Sequence, residues 1–304
     1  MRSIQSRLMN LLLRALGAKK MFVGFHQAKH SAEAFQAEVS KARSRNGDQS
    51  EPTEAFVQKY PHERIDVDGF ALHIHQIGKR KRVGLFLHGG AYVLGISSAH
   101  WSLIEKMGIG GDCHMAMFDY PLAPEHDCTA AIEHTLRAYE ILVERYGAEE
   151  VVLMGGSAGA GLAMALSLHL RDQGRPQPRS TVLLYPWLDV TMSHPYTKEF
   201  GHKDLLLGVD GLIACGEHYA GDRDTTDPLV SPWFGQLDDV APVYIFSGTW
   251  DILHGEGRDF VEKIKSAGGE ANLSAYPEMQ HAWMLFGMPE AKKALEEIFR
   301  VLKV

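Results

Sequence analysis

The stretch VVLMGGSAGAG at residues 151–161 decides the fold. Its first four residues are apolar and include two valines, which is typical of a buried strand. Small residues then lead into the apolar run 162–170, which favours a helix. A Gly-x-Ser-x-Gly corner between strand and helix predicts a sharp turn that lifts the hydroxyl of Ser157 above the end of a sheet, and an ordinary turn is the alternative. Gly155 and Gly159 fit the sharp turn because larger side chains there would collide with the neighbouring strand and helix.

Length and composition bound the class of protein. With 304 residues, 45% hydrophobic and 23% charged, the chain can form one large α/β domain or two smaller ones around a sizeable core. A net charge of −7 argues against a general nucleic-acid binder. The cysteines Cys113, Cys128 and Cys215 are widely spaced and odd in number. They fit a reducing compartment without a disulfide framework, so we expect a cytoplasmic protein.

The N-terminal segment MRSIQSRLMNLLLRALGAKK contains a short apolar run that basic residues interrupt. It is too short for a membrane span and lacks the uninterrupted core of a signal peptide, so we expect no stable membrane insertion. The segment also predicts an amphipathic helix. One side of that helix carries Ile4, Leu8, Leu11, Leu12 and Leu16. We expect this apolar stripe to pack over the functional site or on the core, with a membrane surface as the alternative.

The rest of the chain alternates strands with helices. Residues 1–55 look helical and end in a polar linker at 43–53, and residues 64–76 then have the pattern of a β-hairpin around Asp68-Gly69. Six further strands are predicted at 83–87, 114–120, 151–154, 181–185, 243–247 and 271–276, and helices at 128–146, 162–170, 255–267 and 289–302. The alternation predicts an α/β fold with a mostly parallel eight-stranded sheet flanked by helices.

Residues 186–232 contain aromatic and turn-forming residues but no strand pattern. An insert of this kind in an α/β fold predicts a lid or substrate cap. We therefore predict an N-terminal helical cap segment at 1–55, a catalytic core formed by 56–190 and 234–304, and a cap insert at 191–233.

A serine hydroxyl needs a base to take its proton, and the base needs an orienting acid. The turn motif predicts both partners after Ser157, first the acid and then a histidine. Asp251 follows the strand 243–247 and His281 follows the last strand, where a parallel sheet places its functional loops. His254 is a second candidate for the base. Taken singly, Asp251 could be a helix N-cap and His281 a surface-loop residue, but their joint placement favours a triad.

A carbonyl oxygen that gains negative charge during acyl transfer needs fixed N–H donors. The N–H of Ala158, directly after Ser157, is one expected donor. Others must come from a loop after an early strand, and the sequence His88-Gly89-Gly90-Ala91 follows strand 83–87. A plain turn is the alternative, but glycines let this backbone approach a substrate closely.

Five features together carry a family resemblance: HGGAY at 88–92, DYPLAPEH at 119–126, GGSAG at 155–159, Asp251 and His281. With them the sequence resembles the hormone-sensitive-lipase-like branch of the α/β-hydrolases, which includes many bacterial carboxylesterases. The resemblance implies an α/β-hydrolase fold with a helical cap. It also implies the site roles, with Ser157 as nucleophile, His281 as base, Asp251 as acid, and Gly89, Gly90 and Ala158 as oxyanion donors.

The sequence departs from this family pattern at three positions. Ala91 replaces a third glycine, Gly156 stands where Asp is usual before the nucleophile, and Ala282 follows the histidine in place of Gly. None of these changes removes a reacting group. Because of these changes, the resemblance does not determine the shape of the acyl pocket.

Other patterns carry weaker signals. His73 and His75 share one face of a strand, but no further metal ligands accompany them, so we expect no metal. No Lys follows the glycine-rich turn at the spacing of a phosphate loop, and we expect no cofactor. Six aromatic residues in and after the insert either line a substrate pocket or hold the cap on the core: Trp187, Tyr196, Phe200, Tyr219, Trp233 and Phe234.

These features predict a serine carboxylic-ester hydrolase that acts on short- to medium-chain acyl esters through an acyl-enzyme intermediate. Amide, formamide or lactone hydrolysis by the same triad is the nearest alternative. A non-catalytic small-molecule receptor of the same fold and a membrane-associated scaffold are alternatives from other classes. The expected partner is a small-molecule ester, and a homodimer formed through an exposed edge strand near the C-terminus is left open.

Overall fold

The computed structural model describes residues 3–17, 19–47 and 49–304, which contain an eight-stranded sheet. The strands are β1 His62–Val67, β2 Phe70–His75, β3 Val83–Leu87, β4 His114–Phe118, β5 Val151–Gly156, β6 Ser180–Leu184, β7 Val243–Gly248 and β8 Ala271–Tyr276. Their order across the sheet is β1-β2-β4-β3-β5-β6-β7-β8. The predicted eight-stranded, mostly parallel sheet is therefore confirmed.

One strand of this sheet, β2, runs opposite to the other seven, because it pairs antiparallel with both β1 and β4. β1 and β2 form the predicted antiparallel hairpin, in which Val67 pairs with Phe70 across the turn at Asp68-Gly69. Both turn residues have positive φ, +51° and +95°, as a two-residue hairpin loop requires. The strands from β4 to β8 run parallel, so their carboxyl ends lie along one edge of the sheet. β8 is an edge strand, as expected, and its pairing between two copies stays a prediction.

Helices cover both faces of the sheet. The α-helices of the described residues are α1 Ile4–Leu16, α2 Lys20–Ala28, α3 Ala32–Asn46, α4 Glu54–Lys59, α5 Ser98–Gly111, α6 Cys128–Tyr146, α7 Ala158–Asp172, α8 Pro195–Phe200, α9 Val209–Ala220, α10 His254–Ser266 and α11 Pro289–Lys303. Leu85 and Leu153 belong to one apolar cluster, and Phe86 and Met154 belong to another on the opposite face. Burial on both faces explains why these strands are continuous apolar runs in the sequence.

Most element boundaries lie within a few residues of their predicted positions, but the polar linker begins later than expected. Helix α3 continues to Asn46, so the linker does not start at residue 43. Phe35, Val39 and Ala42 form a buried side of α3, and this contact supports helix in a stretch whose composition alone indicates a loop. Asp48 of the predicted linker lies outside the described residues.

Helix α1 is helical as predicted, but its apolar stripe does not pack on the protein. Ile4, Leu8, Leu11 and Leu12 are 72%, 59%, 62% and 50% exposed. The expectation that this stripe covers the site or the core is therefore wrong for these four residues. The side chain of Leu16, the fifth member, lies outside the described part of the chain.

The opposite side of α1 holds the helix in place. The N–H and Oγ of Ser3 donate to the carboxylate of Glu290 at 2.6 and 2.8 Å. Ser6 is buried and its Oγ donates to Sδ of Met279 at 3.9 Å, and Leu13 is buried further along the same side. These contacts keep the apolar stripe of α1 facing away from the protein. Among the described helices, none combines the length and the apolar character needed to cross a membrane.

The N-terminal helices and the insert between β6 and β7 form one helical layer. Helix α2 packs against α9, and a β-carbon at Gly208 or Gly211 would lie only 2.7 or 2.2 Å from atoms of Phe22. Phe35 of α3 stacks on His218 of α9 with 3.7 Å between the ring centroids. Close backbone approach therefore joins two segments that are distant in sequence.

Candidate active site

Ser157 lies at the turn between β5 and α7, in the middle of the parallel part of the sheet. Its backbone is strained, with φ +55° and ψ −121°. A β-carbon at Gly155 would lie 2.2 Å from the carbonyl oxygen of Gly159, and one at Gly159 would lie 2.1 Å from that of Leu87. Close backbone packing therefore requires both glycines, as the sharp-turn motif predicts.

Ser157, His281 and Asp251 lie together in one hydrogen-bonded chain. Nε2 of His281 is 2.9 Å from Oγ of Ser157, and Nδ1 of His281 is 2.8 Å from Oδ2 of Asp251. Asp251 is fully buried, and its Oδ1 accepts the N–H of Leu253 at 2.9 Å. Because Nδ1–H donates to the carboxylate, Nε2 can accept the proton of the serine hydroxyl.

The surroundings of His281 favour its protonated form. Burial alone lowers the pKa of an imidazole, but the Asp251 carboxylate attracts and hydrogen-bonds the ring, and Asp204 adds a second nearby carboxylate. On balance the pKa of His281 is raised above its ordinary value. An imidazolium formed when His281 takes a proton is therefore stabilised where it forms.

The loop after β3 lies directly beside Ser157. A β-carbon at Gly89 would lie 3.2 Å from Cβ of Ser157. Gly90 has φ +137°, and a β-carbon there would lie 2.3 Å from the carbonyl oxygen of Leu94. Ala158 is the first residue of α7, where backbone N–H groups have no acceptor within the helix. Gly89 and Ala158 therefore border the serine, and Gly90 lines the same cavity.

The DYPLAPEH segment supports this loop. Oη of Tyr120 donates to the carbonyl oxygen of His88 at 2.7 Å, and the two rings stack with 4.3 Å between centroids. The N–H of Ala123 donates to the carbonyl oxygen of Tyr92 at 2.9 Å. Burial lowers the pKa of His88 to about 4, so its imidazole is neutral at physiological pH. The two motifs therefore form one packed unit, which explains their joint presence in the sequence.

The backbone conformation and the surrounding space show what is special at the three positions that depart from the family motifs. Ala91 and Ala282 have φ +53° and +55°, in the left-handed region that glycine adopts at least cost. A β-carbon at Gly156 would lie 3.3 Å from the side chain of Tyr185, tighter than most such contacts. The ring of Tyr185 meets that of His281 edge-on at 5.0 Å. Gly156 therefore leaves room for a tyrosine beside the histidine.

Asp204 connects the insert to the loop that carries Asp251. Its side chain is buried, and Oδ1 accepts the N–H groups of Leu206 and Leu207 at 2.8 Å each. Oδ2 accepts the N–H of Ile252, the residue after Asp251, at 3.1 Å. Burial and the neighbouring Asp251 raise the pKa of Asp204 to about 6. Sequence reasoning missed this residue, because an Asp before an apolar run is typical of an ordinary turn or helix cap.

Gln280 makes the matching connection to the histidine loop. Its Oε1 accepts the N–H of Leu205 at 2.8 Å, and its Nε2 donates to the carbonyl oxygen of Lys203 at 3.0 Å. Gln280 directly precedes His281, and that adjacency is the one sequence signal that could have drawn attention to it. Residues 203–207 are thus hydrogen-bonded to both partner loops of the triad.

An apolar cavity of about 250 Å³ adjoins Ser157 and His281. Both helical segments over the sheet contribute to its wall. The apolar lining consists of Met21, Phe22, Leu94, Leu206, Leu207, Leu212, Leu285 and Phe286, together with the glycine loop after β3. A small ester group fits this environment better than a charged one.

The six aromatic residues considered for the pocket lie outside the lining of this cavity as the described residues form it. Trp187 and Tyr219 both stack on Tyr92, at 5.5 and 3.6 Å between centroids. Oη of Tyr196 donates to the carbonyl oxygen of Thr249 at 2.7 Å. These contacts favour the second interpretation, in which the aromatic residues hold the insert on the sheet.

The remaining histidine candidates have other partners. Nδ1 of His254 lies 2.7 Å from Oγ of Ser247, whereas the histidine that hydrogen-bonds Ser157 is His281. His73 and His75 are buried and stack on His62, at 5.3 and 4.5 Å. Burial lowers their pKa values to about 4 and about 3. In the described ranges, no three His, Cys, Asp or Glu side chains are grouped to hold a metal ion.

Comparison with known proteins identifies the family. A family described as having the alpha/beta hydrolase fold matches residues 84–285. An esterase from Acinetobacter venetianus is 34% identical over 216 residues, which cover 70% of this chain and 71% of the relative. An acetyl-hydrolase from Streptomyces hygroscopicus is 34% identical over 221 residues, which cover 71% of this chain and 73% of the relative.

Solved structures agree in fold over nearly the whole chain. An esterase from the bacterial hormone-sensitive lipase family superposes with a TM-score of 0.78 at 26% identity, covering 93% of this chain and 96% of that one. An esterase whose crystal was soaked with p-nitrophenyl butyrate superposes with a TM-score of 0.80 at 27% identity. The match covers 87% of this chain and 90% of that one. The fold and these matches define an α/β-hydrolase. Within that class, the chain belongs to the hormone-sensitive-lipase-like branch and is a carboxylesterase-type hydrolase.

Proposed function

We propose that the chain hydrolyses carboxylic esters with Ser157 as the nucleophile, His281 as the general base and Asp251 as the orienting acid. The hydrogen-bonded chain through these three side chains, with distances of 2.9 and 2.8 Å beside an apolar cavity, carries the proposal. The relatives named esterase and acetyl-hydrolase support the same chemistry.

The reaction proceeds in two acyl-transfer steps. Oγ of Ser157 attacks the ester carbonyl carbon while Nε2 of His281 takes its proton, and Asp251 stabilises the imidazolium. The N–H groups of Gly89, Gly90 and Ala158 stabilise the carbonyl oxygen as it gains charge, by about 3 kcal/mol per donor. The C–O bond to the alcohol then breaks, and the alcohol leaves with the proton from His281. Water repeats the attack on the acyl-enzyme and releases the acid.

The expected substrates carry short- to medium-chain acyl groups. The cavity of about 250 Å³ is smaller than typical pockets for drug-sized ligands, roughly 300–1,000 Å³. Its apolar lining suits an acyl chain of a few carbons. The acetyl-hydrolase relative and the esterase soaked with a butyrate ester support the lower end of this range.

The helical layer acts in this proposal as a cap over the site. Residues 1–55 and 191–233 form the cap, and residues 56–190 and 234–304 form the catalytic core. Contact of α2 with α9 and the shared wall of the cavity support this division. The three cysteines are free and buried, which supports a reducing, cytoplasmic location.

Hydrolysis of p-nitrophenyl esters from acetate to laurate tests the proposal. We expect turnover by the wild type, an optimum at the short end of the series, and a loss of about 10³-fold or more in Ser157→Ala. Ser247→Ala is the matched control, because Ser247 also hydrogen-bonds a histidine, His254, outside the cavity lining. A folded wild type without turnover on any of these esters, or full activity in Ser157→Ala, would contradict the assignment.

A further inference from the structure

The exposed stripe of α1 is defined by Ile4, Leu8, Leu11 and Leu12, and it is the largest group of exposed apolar side chains on one described element. Eight large hydrophobic residues stand out as exposed among the side chains that the structure describes; four belong to this single helix, and a fifth, Val23, follows on α2. Large apolar side chains exposed together, rather than singly, mark a contact surface. The stripe therefore needs a partner.

Helix α1 is anchored so that the stripe cannot turn inward without losing contacts. Ser3 caps the helix and binds Glu290, and Gly17 ends it in the left-handed conformation. Nζ of Lys19, just beyond the helix, donates to the carbonyl oxygen of Gly201 at 2.9 Å. The surface is thus preformed, about 20 Å long, and held at both ends.

Basic residues border one side of the stripe, in a chain whose net charge is negative. The first 32 residues contain six Lys and Arg and no Asp or Glu, although the whole chain has a net charge of −7. Arg7 and Arg14, seven residues apart, lie on one border of the stripe, and Lys20 follows at the start of α2. All three are exposed. An apolar stripe with a basic border has the charge and shape that suit an anionic lipid surface.

A second copy of the chain fits the same surface poorly. In a two-fold dimer whose helices pack antiparallel, the stripe would pack on itself and bring Arg7 and Arg14 towards the same arginines of the other copy. That repulsion is absent when the partner is a layer of anionic headgroups. We propose that α1 docks this protein, lying flat, onto the surface of a bilayer that contains anionic phospholipid.

Docking would place the cap next to the bilayer. Three residues separate α1 from α2, and Met21 and Phe22 of α2 line the cavity at Ser157. The docked helix therefore leads directly into the wall of the site. The proposal concerns binding to the lipid surface and does not depend on the ester-hydrolase assignment.

Vesicle flotation at low salt tests the docking. We expect the full chain to float with phosphatidylcholine–phosphatidylglycerol vesicles and not with phosphatidylcholine alone, and to detach as salt screens the charges. The triple variant Leu8→Gln, Leu11→Gln, Leu12→Gln should lose binding at least tenfold. Its control is Phe234→Gln with Val304→Gln, which changes exposed apolar residues elsewhere.

A charge variant tests the basic border. Arg14→Gln with Lys20→Gln should weaken binding to anionic vesicles, whereas Lys79→Gln with Lys81→Gln, at exposed lysines elsewhere, should not. Arg7 is left in place because it also lines a polar cleft with Glu278 and Glu290. Ser157→Ala should still float, which separates docking from catalysis.

Three results would overturn the docking proposal. They are a wild type that stays unbound to anionic vesicles, binding that the triple variant leaves unchanged, and light scattering that shows a dimer dissolved by the triple variant. Circular dichroism and thermal unfolding of each variant ensure that loss of binding does not reflect loss of fold.

Discussion

The two sides of the site are held in place by different means. Ser157, Asp251 and His281 follow β5, β7 and β8, so the register of a parallel sheet sets their spacing. The side formed by the helical layer, which we propose to be a cap, depends instead on two polar side chains, Asp204 and Gln280, that bind loop backbone. We call these the sheet side and the cap side.

This difference indicates what each side controls. The sheet side brings reacting atoms to within hydrogen-bonding distance, so changes there should lower the rate of the chemical step. The cap side touches the triad through backbone contacts and one nearby carboxylate, so changes there should alter the pH dependence and leave the triad assembled. The experiments below test that separation.

The largest loss of activity is expected from Asp251→Asn, a change on the sheet side. An amide at this position can present an N–H to Nδ1, which turns or re-protonates the ring so that Nε2 no longer accepts the serine proton. We expect kcat to fall by about 10⁴-fold, with the fold retained, measured on p-nitrophenyl acetate.

The matched control for that variant is Asp259→Asn. Asp259 also pairs with a histidine, since its Oδ2 lies 3.1 Å from Nε2 of His194, but neither residue lines the cavity. Its activity should match that of the wild type. Equal losses in the two variants would remove the distinction between the triad and other Asp–His pairs.

A smaller loss is expected from Gly90→Ala in the loop after β3. Gly90 has φ +137°, and its new β-carbon would lie 2.3 Å from the carbonyl oxygen of Leu94, so the loop must shift. Displacing one N–H donor costs roughly 10²–10³-fold in kcat, with KM less affected. In the control, Gly287→Ala, the β-carbon meets open space, and activity should be unchanged. A fully active Gly90→Ala enzyme would show that Gly90 supplies no donor.

The sheet side could be predicted from sequence because its residues lie in or directly after strands that the sequence reveals. Gly155 is required by a contact within its own turn, and Gly159 by the end of the neighbouring strand β3. Asp251 and His281 follow strands whose patterns are visible in the sequence. The cap side could not, because the role of Asp204 exists only when residues 203–207 meet Ile252 and Gln280. The apolar stripe of α1 led to a wrong prediction, that it packs over the site or the core. Helical periodicity identifies an apolar face but does not show what covers that face.

A change in pH dependence is expected from Asp204→Asn. In the wild type the Asp204 carboxylate helps to raise the pKa of His281, and His281 must be neutral to accept the serine proton. Removing that negative charge lowers the pKa of His281, so the acid limb of kcat/KM moves to lower pH. The plateau should fall by no more than about tenfold, because Ser157, His281 and Asp251 remain.

The control for the pH profile is Asp210→Asn, the same change at an exposed cap residue. The other charged group near Asp204 and His281 is Asp251, and both variants retain it. An acid limb that stays in place in Asp204→Asn would show that Asp204 acts through its backbone contacts alone. A limb that moves to higher pH would refute the electrostatic role.

The smallest effect is expected in stability, from a pair of Ala→Gly variants on the two sides. Ala282 has φ +55°, so Gly there relieves backbone strain that offsets the greater freedom glycine gives the unfolded chain. Ala37 lies exposed within helix α3 of the helical layer, where Gly relieves no strain and only adds freedom to the unfolded chain. Urea unfolding should show a change below about 0.5 kcal/mol for Ala282→Gly and a loss of about 1 kcal/mol for Ala37→Gly. Equal losses would mean that the residue after His281 carries no strain, and that the sheet side gains its precision from register alone.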